Sequence, residues 1–329
     1  MENKYTVADL QAMQAWPLFR KIQVTQTRII EWYIKNKGQV YVSFSGGKDS
    51  TVLLDLARRI YPDIPAVFVD TGLEYPEIRE FVKSIDGVTW LRPKMNFRKI
   101  IETYGYPLVS KEISEKIYFA RKGQKDALMA FDGKTVDGTE SKYRQRYKKW
   151  RPLCNSNVPI SHKCCEIMKK EPAKAYEKET GRKPILATMA VESTLRVRSW
   201  LQNGCNAFTA KRPSSQPMSF WTEQDVLEYI KNFSVAYAPV YGDIVETEHG
   251  LDTTKCKRTG CVFCGFGCHL EKEPNRFQML QVTHPALYNY CMKPWENGGL
   301  GMKEPLEYIG IQTENKEAKQ AKKGRDEIE

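Results

Sequence analysis

A run rich in β-formers, Val40-Tyr41-Val42-Ser43-Phe44, leads directly into Ser45-Gly46-Gly47-Lys48-Asp49-Ser50, and helical spacing follows from Thr51 to Ile60. The run lacks polar alternation, the pattern of a strand buried on both faces of a parallel sheet. Strand, glycine turn and helix in that order make an anion cradle. Two glycines let the backbone approach a phosphate closely, and the free N–H groups and positive end of the helix dipole hold it. Lys48 adds a mobile positive charge, and Ser45 and Ser50 supply hydroxyl donors. Asp49 is placed to position Mg²⁺. The Gly-x-x-x-x-Gly-Lys spacing is absent, so this is not a Walker A loop. The competing reading is a plain glycine turn with accidental polar neighbours.

The rest of the chain extends this theme. Residues 7 to 36 have helical spacing, broken at Pro17 and ended at Gly38. Ala66-Val67-Phe68-Val69 reads as a second buried strand, with a helix over 76–85 behind it. This β-α-β-α order predicts an α/β fold: an open, mostly parallel sheet with helices on both faces, plus a cysteine-rich C-terminal region. Pro184 to Met189 predicts another strand. Trp221 to Ile230 predicts a helix capped by Thr222, with Asp225 three residues on. The expected organisation is an N-terminal helical segment (1–37), a nucleotide-binding α/β domain (38–235) with a basic insertion (108–151), and a cysteine-rich region (236–313). Residues 314–329 are charged, poor in apolar side chains and expected to be disordered.

The 329 residues carry a net charge of +11, which suits a polyanionic partner. Within the insertion, Lys142-Tyr143-Arg144-Gln145-Arg146-Tyr147-Lys148-Lys149-Trp150 could stack bases and neutralise phosphates. The alternative is a solvated helix whose aromatics pack inward. No apolar stretch approaches the roughly 20 residues needed to cross a bilayer. The beginning, MENKYTVADLQ, lacks the basic-then-apolar order of a signal peptide. A cytoplasmic protein without a membrane partner is expected.

Nine cysteines, with no secretory pattern, argue for metal or catalysis at the clustered ones and against a disulfide framework. The tandem Cys164-Cys165 and the downstream Cys261-Val262-Phe263-Cys264 together supply four thiolates, enough for tetrahedral zinc or a [4Fe-4S] cluster. A local set, Cys256, Cys261, Cys264 and Cys268, is the alternative. Cys154 and Cys205 stand alone and read as ordinary thiols.

Ser-Gly-Gly-Lys-Asp-Ser after a strand resembles the signature of PP-loop ATP pyrophosphatases, the adenine nucleotide α-hydrolase-like superfamily. Within it the chain resembles the phosphoadenosine phosphosulfate (PAPS) reductase family. Val69-Asp70-Thr71-Gly72-Leu73-Glu74 looks like that family's second-strand motif, and Trp221-Thr222-Glu223-Gln224-Asp225-Val226 matches another block. The resemblance runs from about residue 20 to about residue 290.

It implies an adenine nucleotide, ATP with Mg²⁺, held by Ser43 through Ser50 together with Asp70, Thr71, Glu192, Ser193 and Arg196. Lys48 and Asp49 would be catalytic. It also implies a [4Fe-4S] cluster on Cys164, Cys165, Cys261 and Cys264.

Two departures modify the functional expectation. Family reductases carry a Glu-Cys-Gly-x-His-like segment with the catalytic thiol, and this sequence has none after Cys291. The family's Arg before Glu-Ser is replaced by Val191, although Arg196 and Arg198 follow closely. Relatives that install sulfur share the cluster without that thiol. The expected activity is therefore ATP-dependent sulfur transfer by substrate adenylation, with tRNA or DNA as a candidate substrate, a separate sulfur donor or redox partner, and a homo-oligomer as a candidate assembly. The alternatives are a sulfonucleotide reductase using Cys291 or a partner's thiol, and a non-catalytic nucleotide- or nucleic-acid-binding module.

Overall fold

The computed structural model describes residues 3–315. The charged tail expected to be disordered lies, from residue 316 on, outside the described residues. In chain order the first elements are α1 (Val7–Gln14), α2 (Leu18–Lys35), β1 (Val40–Ser43), α3 (Lys48–Arg58), β2 (Ala66–Val69), α4 (Pro76–Lys83) and β3 (Val88–Leu91). Next come α5 (Phe97–Tyr104), β4 (Leu108–Val109), α6 (Lys111–Ala120), α7 (Lys125–Phe131) and α8 (Arg144–Lys148). A π-helical turn at Glu166–Lys170 leads into α9 (Glu171–Thr180), β5 (Lys183–Leu186), α10 (Thr194–Asn203), β6 (Asn206–Ala207), β7 (Ser214–Ser215) and α11 (Glu223–Phe233). The last are β8 (Ile244–Thr247), β9 (Gly250–Thr253), β10 (Gly265–Phe266), α12 (Arg276–Thr283), α13 (Pro285–Met292) and α14 (Lys303–Tyr308). By its contacts the chain forms two compact units: Met1–Pro93 with Glu171–Gly260, and Lys94–Lys170 with the residues from Cys261.

The first unit is built on a six-stranded sheet in the order β3-β2-β1-β5-β7-β6. All its pairings are parallel except that of the short edge strand β6. Val40, Val42, Ala66 and Ile185 are fully buried, as are Ile29 and Trp32 of α2 and Val52, Leu53, Leu56 and Ala57 of α3. The unbroken apolar runs of β1 and β2 are thus explained by helices flanking the sheet.

The neighbours of β1 are β2 on one side and β5 on the other. The chain leaves β1 towards β2 and reaches β5 only later, so the order reverses between β1 and β5. Loops from such strands diverge at their carboxyl ends and open a crevice there.

Local signals set most boundaries. Thr6 and Asp9 form a capping box on α1, Pro17 separates α1 from α2, and Thr222 with Asp225 caps α11 as its sequence predicts. The strand expected over 184–189 stops at Leu186. Its partner β1 ends at Ser43, which stands opposite Leu186, so the following residues have no ladder to join. Helix α3 begins at Lys48, earlier than the apolar periodicity suggests, because its first turn is polar and Gly47 is its N-cap.

In the second unit the basic segment packs its large aromatics inward: Tyr147 and Trp150 are buried, whereas Tyr143 is 48% exposed. The Tyr147 hydroxyl donates to Glu112, and Arg146 pairs with the same carboxylate at 2.7 Å. This is the inward-packed alternative for these two rings. Among the described residues no helix is long and apolar enough to cross a membrane.

Candidate nucleotide site and thiol group

The turn after β1 is fixed by Gly46. Its φ is +72°, and a Cβ there would lie 2.7 Å from Val82 Cγ2 and 2.8 Å from Ile78 Cγ2 of α4. Only glycine meets both demands. Gly47 then caps α3 and leaves the first N–H groups of that helix without intrahelical partners.

Hydroxyls occupy the donors of this turn. Ser45 N–H donates to Ser50 Oγ at 3.1 Å, Gly47 N–H to Ser45 Oγ at 3.3 Å, and Lys48 N–H to the Tyr241 hydroxyl at 3.3 Å. Burial pushes Tyr241 up to about 12, so the phenol stays protonated while it shares a 2.6 Å hydrogen bond with Thr259 Oγ1.

Lys48 is buried, and its Nζ donates to Glu223 Oε1 at 2.6 Å and to the Lys257 carbonyl at 2.8 Å. Asp49 beside it has its carboxyl raised by burial, with Lys48 and Arg258 pulling the other way.

These groups face a cavity of about 420 Å³. Of the residues expected from sequence, Ser45, Gly47, Lys48, Asp49 and Glu192 line it. Glu192 follows β5 and accepts the Met189 N–H at 3.0 Å and an Arg258 N–H at 3.2 Å, and it pairs with Arg196. Ser193 is the N-cap of α10 and accepts the Arg196 N–H, so capping and site roles fall on adjacent residues.

The other expected residues stand behind or beside the cavity. Ser43 ends β1, Phe44 is buried in the core, and Ser50 backs the turn. Asp70 and Thr71 follow β2, at the same sheet edge. Asp70 holds Arg79 at 2.9 Å, and Thr71 donates to Glu74 at 2.6 Å.

Glu223, Tyr241, Arg258 and Thr259 also line the cavity, and sequence reasoning did not single them out as site residues. Glu223 lay inside the quoted Trp-Thr-Glu-Gln-Asp-Val block, the one available signal.

Cys164, Cys165, Cys261, Cys264 and Cys268 all fall in the second unit, and Cys256 falls in the first. One short stretch fastens both cysteine segments. Tyr106 N–H donates to the Pro159 carbonyl at 2.8 Å, and Ser161 N–H to the Tyr106 carbonyl at 3.0 Å. Two residues on, β4 pairs in parallel with β10, Leu108 opposite Gly265 and Val109 opposite Phe266.

Cys164 donates to Cys165 across 3.9 Å between sulfurs. That hydrogen bond, with Lys111, Lys169 and Lys170 nearby, brings the Cys165 thiol down to about 6 despite burial, while Cys164 is pushed well up. Cys261 and Cys264 add to the upward shift at Cys164, and burial, helped by Cys261 and Cys165, raises the Cys264 thiol to about 11. Burial also takes Cys268 up to about 12.

Among the described residues no three His, Cys, Asp or Glu side chains are arranged to hold a single metal ion. Tetrahedral zinc with bonds of about 2.3 Å would need all four sulfurs drawn to roughly 3.8 Å from one another. A four-iron cube holds its thiolates at separate corners and accepts a wider set. Soft all-sulfur donors beside three lysines suit such an anionic cluster. Cys291, in α13, is fully buried and its thiol is raised by that burial, so it presents no reactive surface.

Residues 39–105 and 111–265 match the family model described as the phosphoadenosine phosphosulfate reductase domain. An uncharacterized protein of Methanocaldococcus jannaschii is 35% identical over 280 residues, 82% of this chain and 51% of that protein. A second uncharacterized protein of that organism is 26% identical over 273 residues, 80% of this chain and 42% of its own length. The chain thus spans about half the length of these curated relatives. The adenosine 5′-phosphosulfate reductase of Staphylococcus haemolyticus is 25% identical over 213 residues, 64% of this chain and 68% of that one.

Proposed function

The chain belongs to the phosphoadenosine phosphosulfate reductase domain family, and from that premise we propose that it is an adenylating sulfurtransferase. The observation that carries this reading is the placement of Lys48 and the amides of α3's first turn on one wall of the cavity, with Asp49 adjacent. Four thiols gathered in the second unit support the sulfur half of the proposal.

ATP would bind with its phosphates against that turn. An oxygen of the acceptor attacks the α-phosphorus, the α–β anhydride bond breaks, and pyrophosphate leaves. Lys48, and the N–H groups of Gly47 and Lys48 once phosphate oxygens replace Ser45 Oγ and the Tyr241 hydroxyl as their acceptors, would meet the charge developing on the leaving group. Mg²⁺ held by Asp49 would screen the phosphates. The acceptor now carries AMP as a good leaving group, and sulfide from a donor displaces it. A [4Fe-4S] cluster on Cys164, Cys165, Cys261 and Cys264 would supply a redox-active centre, and one held by three of them would leave an iron open to sulfur. Candidate acceptors are tRNA and DNA.

A second reading, reduction of adenylyl sulfate, draws on the curated relatives of that name. The burial of Cys291 leaves that reaction to a thiol from elsewhere. Pyrophosphate exchange into ATP, stimulated by an RNA or DNA acceptor, supports sulfur transfer. Sulfite release from adenylyl sulfate with a dithiol, without exchange, would replace it with the reductase.

A further inference from the structure

Lys257-Arg258-Thr259 is pinned to the cradle on both sides of the arginine. The Lys257 carbonyl accepts from Lys48 Nζ at 2.8 Å, and Thr259 Oγ1 bonds the Tyr241 hydroxyl at 2.6 Å, which itself accepts the Lys48 N–H. Arg258 is thereby held on the cavity wall, while its side chain stays 65% exposed. Its one hydrogen bond to a carboxylate, to Glu192 at 3.2 Å, is long for a charge-assisted contact. That carboxylate already pairs with Arg196. Two guanidinium groups thus share the Glu192 carboxylate, with Asp49 as the further acidic neighbour of both. Lys48, by contrast, is matched one to one by Glu223. Lys48 and Arg258 are thus two separate cationic groups on the cavity wall, each already facing a carboxylate, and a single 5′-phosphate takes the place of only one of those carboxylates.

We propose that Arg258 is the specificity residue for the anionic group joined through an anhydride to the nucleotide's 5′-phosphate. That chemistry is shared by the β-phosphate of ATP and the sulfate of adenylyl sulfate. On binding, the guanidinium turns from Glu192 to this second anion, and Arg196 alone remains to neutralise the carboxylate. The inference rests on the nucleotide reading of the cavity.

The test is calorimetric titration of the full chain and of Arg258→Ala and Arg258→Lys with AMP, ADP, ATP and adenylyl sulfate, with a thermal melt of each variant. The native chain is expected to bind the anhydride nucleotides about tenfold or more tighter than AMP, the worth of a charged hydrogen bond. Arg258→Ala should remove most of that preference while weakening AMP binding far less, and Arg258→Lys should restore part of it. ATP and adenylyl sulfate arms identify which second anion is preferred. Equal losses for AMP and ATP, or no loss for either, would overturn the role of Arg258 and leave the nucleotide reading standing. A native chain that binds none of the four removes both.

Discussion

Lys48 Nζ and Glu223 Oε1 lie 2.6 Å apart, the lysine buried and the glutamate half-exposed. In the proposed nucleotide complex a phosphate oxygen would take the place of this carboxylate on Lys48, and the nucleotide would have to displace it. Replacing it by Glu223→Gln leaves a hydrogen-bond acceptor without the charge. The displaced pair is partly solvated and contributes about 0.4–1 kcal/mol. ATP should therefore bind about two- to fivefold tighter, read by calorimetry. Weaker binding would mean that Glu223 serves the ligand.

Lys48→Met keeps the apolar stem that the core covers and removes the charge. Affinity for ATP should fall about tenfold or more, the loss of charged hydrogen bonds. The melting temperature should stay close to the native value, because the unpaired Glu223 remains solvated. Unchanged affinity would move the phosphate site away from this turn.

Gly46 and Gly72 form a matched pair, with φ of +72° and +73°. Gly46→Ala adds backbone strain of about 1–2 kcal/mol and overpacking of about 1–3 kcal/mol against Val82 and Ile78. Gly72→Ala adds only the strain, since nothing lies within 4 Å of its Cβ position. Denaturant melts should rank Gly46→Ala clearly below Gly72→Ala. Equal losses would show that α4 yields.

Much of this arrangement was legible because its signals are local. An unbroken apolar run, two glycines and a polar first turn declare β1, the cradle and α3 within a dozen or so residues. Thr222 and Asp225 declare the start of α11 in the same way. The far wall was not legible. Arg258 and Thr259 belong to no motif that the sequence displays, and only the path of the chain brings them to Lys48. Tyr147 and Trp150 show the converse: their composition suits stacking on bases, but burial decides otherwise for both rings. Counting thiolates allows Cys164-Cys165 with Cys261-Val262-Phe263-Cys264 but equally allows the local set with Cys256 and Cys268, and only the family resemblance favours the first, since no spacing rule links segments so distant in sequence.

Cys165→Ser, Cys261→Ser and Cys264→Ser should each lower iron and acid-labile sulfide in anaerobically purified protein. Cys256→Ser and Cys154→Ser should retain both. A colourless native protein with stoichiometric zinc would replace iron in this account. Full iron in the Cys261→Ser protein would move the centre to other thiols.

The hydrogen bonds that fasten Tyr106 to Pro159 and Ser161, and Gly267 to Val109, have a thermodynamic consequence for those thiols. Where an ion must itself gather ligands from a loose chain, its affinity is reduced by the entropy of loop closure. Here the polypeptide has already closed that loop, so the proposed cluster would not need to supply the ordering free energy. If the proposed cluster is present, its removal by a chelator should leave the two segments side by side.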